Sequence, residues 1–210
     1  VVELDSSYYS LPSKANSALW VERTPGHFRF HVKMFRLFTM HYTEPLALPS
    51  DLRHLAPPGK SRFYLRDASK DLAQELLVRF TQAILPLESA GKLGVLLLQF
   101  PKWVTPRPDV FEHILEMKVA LAQFTLAVEF RNKVWFEGER QEKTLRWLRE
   151  SGLVHVCVDE PQGFTSSVPP VVAATSDIAY VRFHGRNRET WETRGDSSAA
   201  RGSSPWPRAS

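Results

Sequence analysis

The sequence predicts an α/β protein whose parallel strands curl into a barrel of the (β/α) type. Three observations predict it. Strand-like runs alternate with helix-like runs along most of the chain. Each strand-like run keeps apolar residues on one parity and polar residues on the other. The polar residues crowd toward the C-terminal ends of the runs, where a barrel of this type carries its working groups.

The elements follow in order. VVELD (1–5) is the first strand. SKANSALWVER (13–23) reads as a helix with Ser13 at its N-cap. FRFHVK (28–33) is the second strand. Residues 34–68 form a long connection with scattered aromatics (Phe35, Phe38, Tyr42, Phe63, Tyr64) and prolines (Pro45, Pro49, Pro57, Pro58). Connections of that length in a compact domain are often functional lids, though some are merely mobile. Residues 69–90 form the clearest helix: Leu72, Leu76, Leu77, Phe80, Ile84 and Leu87 keep the helical period, and Gly91 ends it. LGVLLLQF (93–100) is a buried strand stopped by Pro101. A helix over 107–121 places Phe111, Ile114 and Leu115 on one face, with Pro106 and Pro108 at its start. LAVEF (126–130) is a strand, 139–151 a helix with Leu145 and Leu148, and Gly152 closes that helix. LVHVCVD (153–159) and AYVRFHG (179–185) are the last two strands. From residue 194 the chain is rich in Ser, Arg, Gly and Pro, a composition that buries little and predicts no fold.

The parity argument separates two sheet architectures. VVELD carries Glu3 and Asp5, FRFHVK carries Arg29, His31 and Lys33, and LGVLLLQF ends in Gln99 on the odd parity. LAVEFR carries Glu129 and Arg131, LVHVCVD carries His155, Cys157 and Asp159, and AYVRFHG carries Arg182 and His184. A doubly wound open sheet buries both faces under helices and reads as near-continuous apolar runs. A closed barrel gives such a polar set a place at its mouth.

Composition bounds the rest. The 210 residues are 43% apolar and 24% charged, enough for one domain with a real core. No apolar run reaches the length of a membrane span, about 18 residues. The chain opens on VVELD with no basic leader, which reads as a truncation. The single cysteine, Cys157, forms no intrachain disulfide and fits a reducing, cytoplasmic setting. The net charge of +4 is spread: residues 1–185 hold 22 basic and 20 acidic side chains, and the last 25 residues hold five Arg and three acids. Nucleic-acid binders usually concentrate such charge, so the total neither requires nor excludes one. Phosphate-loop, dinucleotide, HExxH and paired-cysteine motifs are absent.

VELDSSYYSLPS, FRFHVKMFRLFT, GKLGVLLLQFP, LAVEFRNKVW, VCVDEPQGF and YVRFHGRN resemble successive blocks of the YecE-like family, domain of unknown function 72. The resemblance runs from residue 1 to 193 and is specific as an ordered series. It implies a (β/α)8 TIM barrel and leaves the biochemical role open. Family members begin with a further strand and a Gly-Trp segment, and continue past RNRETWE into more helices and a last strand. Against that pattern the chain reads as truncated at both ends, with about six of eight barrel strands present. Residues 1–193 are then a partial barrel with a lid-like connection at 34–68, and 194–210 a disordered or aberrant tail.

The candidate site comes from the strand ends. Glu129, Asp159 and His184 are the expected catalytic groups: paired carboxylates divide acid and base roles, and histidine moves protons near neutral pH. The structural alternative for the carboxylates is an internal ion-pair network with Arg131 and Arg182. Glu3, Lys33, Gln99, Arg131, Trp135, Arg182 and Arg186 are the expected substrate-binding groups, the arginines because their planar fork suits phosphate or carboxylate. Trp135, Tyr8, Tyr9 and Trp103 lie just past strand ends as rim aromatics that could stack on a sugar or base, with plain rim packing as the commoner role. His31 and His155 read as core polar groups, and Cys157 as a small buried hydrophobe. The reading expects an enzyme acting on a phosphorylated or otherwise anionic substrate by acid–base or metal-assisted chemistry. A divalent metal is one option as cofactor. The alternative is a non-catalytic binder of nucleic acid or another polyanion at the same basic mouth. No membrane partner is expected.

Overall fold

The computed structural model describes residues 1–164, 167–185 and 187. Among these residues six parallel strands form one sheet in sequence order: β1 (Val2–Leu4), β2 (Phe30–Lys33), β3 (Leu93–Gln99), β4 (Leu126–Glu129), β5 (Val154–Asp159) and β6 (Tyr180–Phe183). Five α-helices lie between them: α1 (Ser6–Tyr9), α2 (Lys14–Glu22), α3 (Lys70–Ser89), α4 (Pro108–Ala120) and α5 (Arg140–Glu150). The α/β class with a parallel sheet is therefore observed.

The sheet is curled. Laid flat, six strands would separate β1 from β6 by about 24 Å. Instead Glu3 of β1 pairs with Arg182 of β6 at 2.5 Å and takes the Tyr180 hydroxyl proton in a hydrogen bond. The His31 and Tyr180 rings also meet, 4.7 Å between centroids. The first and last strands thus face each other across a half-barrel, with Glu3, Tyr180 and Arg182 inside.

Local chemistry sets the elements. Ser13 caps α2 by accepting the Asn16 amide proton, and Ser69 caps α3 through the Leu72 amide. The α3 stripe Leu72, Leu76, Phe80, Ile84 and Leu87 is fully buried. Lys92 is buried too, and its ammonium donates to the carbonyls of Val21 and Thr24 at 2.6 and 2.7 Å. It therefore tethers the end of α2 to the start of β3. Gly94 makes room for β2: a Cβ there would stand 2.4 Å from His31 Nδ1.

The 34–68 connection holds four 3-10 turns, Arg36–Thr39, Pro45–Ala47, Ser50–Leu55 and Leu65–Asp67. Met34, Phe35, Leu37 and Phe63 within it have no exposure, and Thr43 and Phe63 exchange backbone hydrogen bonds. A lid built on this segment has to hinge outside those anchors. Among the described residues no helix is long and apolar enough to cross a membrane. The expected tail at 194–210 lies outside the described residues.

Candidate functional site

Strand register decides which side chains enter the half-barrel. Gln99 pairs with Glu129 across β3 and β4, and Ala127 with Val154 across β4 and β5. Residues in register share a face of a parallel sheet. The inward set on β5 is therefore Val154, Val156 and Val158, followed by Glu160. On β6 it is Tyr180 and Arg182, followed by His184, because Val158 pairs with Arg182.

That register corrects the expected set at one strand. Asp159 pairs with Phe183, whose side chain is exposed, and lies on the outer face with His155 and Cys157. Asp159 therefore does not join the Glu129 cluster, and Glu160 does. Trp135 is corrected as well. It has no exposure, stacks on Phe130 at 3.6 Å, and donates its indole proton to the Val104 carbonyl. It is core packing and not a rim contact. Arg186 lies outside the described residues.

Glu129 is the centre of the cluster. Its Oε1 accepts from Gln99 Nε2 at 2.8 Å and sits 3.1 Å from His184 Nε2. Its Oε2 accepts from Arg182 Nη1 at 2.5 Å. Its side chain has no exposure, so the solvated strand end that a substrate-touching Glu129 requires is not what the fold provides. Burial alone would push its carboxyl up. The His184 hydrogen bond and the Arg182 and Arg131 charges outweigh burial and hold it down at about 2. Arg182 also grips Glu3 through Nε at 2.9 Å and Nη2 at 2.5 Å, and so joins β1, β4 and β6.

Glu160 is the second buried carboxyl. Its Oε1 accepts the Val168 amide proton at 2.6 Å, and Oε2 stands 3.7 Å from Arg131 Nε. The same Nε is 3.8 Å from Glu129 Oε1, so the two carboxyls bracket one guanidinium. Burial pushes the Glu160 carboxyl above the usual range, against the Val168 amide and the Arg131 charge. The two glutamates are thus displaced in opposite directions.

Above this buried layer lie the groups that water reaches. The side chains of Arg131, His184, Arg182 and Lys33 are 25%, 17%, 13% and 12% exposed. Lys33 bonds Asp5 at 3.3 Å and lies 4.6 Å from the centre of the Tyr8 ring. Arg36 stands over the same ring at 5.5 Å, and His41 meets its edge at 5.2 Å. Burial, then the charges of Arg36, Lys33 and Arg131, lower the His41 pKa to about 4. Burial raises the Tyr8 hydroxyl to about 12, with Arg36 pulling it back. Tyr9 is exposed and packs edge-on against Tyr8.

Sequence reasoning missed Glu160, Arg36, His41 and Tyr180. Arg36 and His41 sit in the irregular connection, where parity says nothing. Glu160 was findable only by counting parity from the register with β4. Among the described residues, no three His, Cys, Asp or Glu side chains gather as a metal site would need.

Known proteins resemble the chain over nearly all its length. The family model described as "Protein of unknown function DUF72" matches residues 1–206. The UPF0759 protein YunF of Bacillus subtilis (strain 168) is 32% identical over 192 residues, covering 91% of this chain and 60% of that protein. The chain thus spans about 60% of the length of that curated relative. A DUF72 family structure from Enterococcus faecalis V583 superposes with TM-score 0.73 at 26% identity, covering 92% of this chain and 68% of the other. One from Thermotoga maritima MSB8 gives TM-score 0.67 at 30% identity, with coverages of 93% and 64%.

Proposed function

The chain belongs to the DUF72 family of proteins of unknown function, and on that premise we propose that it is the catalytic part of an enzyme acting on a small anionic substrate. In this reading the six strands are part of a closed (β/α)8 barrel, and the substrate enters at the C-terminal ends of the strands. The supporting observation is the Glu129–His184 pair. A carboxylate held charged and dry lies 3.1 Å from the Nε2 of a histidine that solvent reaches. That geometry orients the imidazole through Nε2 and leaves the other ring nitrogen to take or give a proton.

Lys33, Arg36 and Arg131 supply positive charge around the same opening. They suit a phosphate or carboxylate, with Arg131 able to offer a planar fork. His41 is neutral at physiological pH and can donate or accept one hydrogen bond without adding charge. Glu129 acts through His184 and the arginines and does not touch substrate. Glu160, pushed toward the neutral form, keeps Arg131 from being fully neutralised by two carboxylates. The acid–base form of the chemistry is the one these side chains support.

The test is a turnover screen of phosphorylated and carboxylated metabolites with the full chain and a longer relative. His184→Gln is expected to abolish turnover and leave substrate affinity within about threefold, because it removes a proton carrier and little binding. Arg131→Gln is expected to weaken binding by about tenfold or more, the size of a charge-assisted contact. Full turnover in the His184 variant would overturn the reading. Binding of oligonucleotides, with no metabolite turned over, would favour a polyanion binder instead.

A further inference from the structure

We infer that the cleft walled by Tyr64 and Trp103 is a second binding site, made for a ligand that joins a flat aromatic ring to an anionic group, as a nucleotide does. The cleft is lined by Met40, Tyr64, Leu65, Arg66, Trp103, Arg107, Asp109 and His113, and its volume of about 310 Å³ is in the range of small-molecule sites. It lies outside the Glu129 cluster and shares none of its residues. The inference does not depend on the reading of the mouth.

Trp103 is the first argument. It is 48% exposed, although large aromatics normally bury their surface. The loop that carries it is pinned on both sides. Asn132 donates to the Lys102 carbonyl at 2.6 Å, and Trp135 donates to the Val104 carbonyl at 2.9 Å. Between these anchors the indole is presented and not packed. A rigidly presented aromatic loses little freedom on binding, which favours affinity.

The rest of the lining selects the ligand. Tyr64 meets Trp103 edge-on at 6.2 Å, and together they form two walls of a slot. Met40 and Leu65 add soft apolar surface. Met40 is also the only non-glycine described residue in the left-handed region, with φ of 63°, which turns the chain at this point. The polar groups are mostly committed. His113 bonds the Phe38 carbonyl at 2.8 Å, and Asp109 takes two hydrogen bonds from Arg107. Few acceptors are left for sugar hydroxyls, which favours a flat ring over a carbohydrate. The charge left over is basic: Arg66 lies 4.8 Å from the Tyr64 ring centre, while Arg107 is balanced by Asp109. A guanidinium over an aromatic ring offers both a stacking plane and a partner for phosphate.

The experiment measures binding of adenosine 5′-monophosphate, adenosine and ribose 5-phosphate to the full 210-residue chain by calorimetry. The monophosphate is expected to bind more tightly than either half. Trp103→Ala should weaken the monophosphate and adenosine by about tenfold, the size of one lost stacking contact, and leave ribose 5-phosphate unchanged. Arg66→Gln should weaken the monophosphate and spare adenosine. Melting temperatures of both variants check that the fold is kept. The inference is overturned if the monophosphate does not bind, if it binds no better than ribose 5-phosphate, or if Trp103→Ala binds it like the wild type. Tryptophan-dependent binding of maltose in place of the monophosphate would also overturn it.

Discussion

Glu129 takes hydrogen bonds from Gln99 and Arg182 and lies against His184, with no side-chain exposure. Its pKa is depressed, to about 2. A depressed carboxylate stabilises the fold above its unfolded pKa and loses that contribution as pH falls through the folded one. Wild-type stability should therefore fall between about pH 4.5 and pH 2. Glu129→Gln should remove that step and cost about 3 kcal/mol at pH 7, since Arg182 loses its fully buried anion. Urea melts across pH check both; a loss under about 1 kcal/mol would mean the site is solvated after all. Glu160 runs the other way. Its raised pKa means the buried carboxyl is at ease when neutral and costs stability as pH rises through the folded value. Glu160→Gln should match wild type near pH 4 and be the more stable protein at pH 8. The inward groups of β3, β4 and β6 were legible because Gln99, Glu129 and Arg182 mark their parity. On β5 they were not. His155 bonds the Val171 carbonyl, its backbone amide bonds the Thr175 hydroxyl, and Cys157 is buried beside it. Polar atoms on the helix-side face mimicked an inward parity, and the inward residues before Glu160 are all valine.

At the scale of elements, α2 through α5 and the six strands were legible because period and punctuation agree: Ser13, Ser69, Pro108 and Gly91 sit where caps and stops belong. The four-residue helix α1 and the turns of the 34–68 connection were not. Such short pieces have no full period to read, and tertiary packing of Phe35, Leu37 and Phe63 decides them. Gly94 shows how tight the element packing is. Ala at this position would push its methyl to within 2.4 Å of His31 Nδ1, in a strand where the Val95 amide donates to that same nitrogen. Gly94→Ala should cost about 1–3 kcal/mol through forced displacement. Melts of Gly94→Ala alone and combined with His31→Ala separate steric from intrinsic effects: the second substitution should restore most of the loss. If it restores nothing, the clash is not the cause.

For the whole molecule, the curl of the sheet depends on what crosses its interior. Arg182 reaches from β6 to Glu3 on β1 and to Glu129 on β4, so one guanidinium ties strands at both edges and the middle. Its own pKa is raised: burial opposes the charge, and Glu129 and Glu3 outweigh it. The sequence revealed that opposite charges share a face, but not that β1 and β6 meet, because that contact joins residues 179 positions apart. Arg182→Met keeps length and apolar bulk and removes the charge. It leaves the buried Glu129 and the part-buried Glu3 without the guanidinium they share, so it should cost about 3–5 kcal/mol at pH 7. The cost should shrink as pH falls, because the variant's carboxylates can protonate while the wild type loses the advantage it held from ionised Glu129. Hydrogen exchange locates the effect. If Arg182 holds the curl, the amides of Val2 and Leu4, at the edge strand β1, should lose protection before those of Leu96 and Leu98 in β3. Equal loss across all strands would mean the helices and the 34–68 connection set the curvature, with the ion pairs following it.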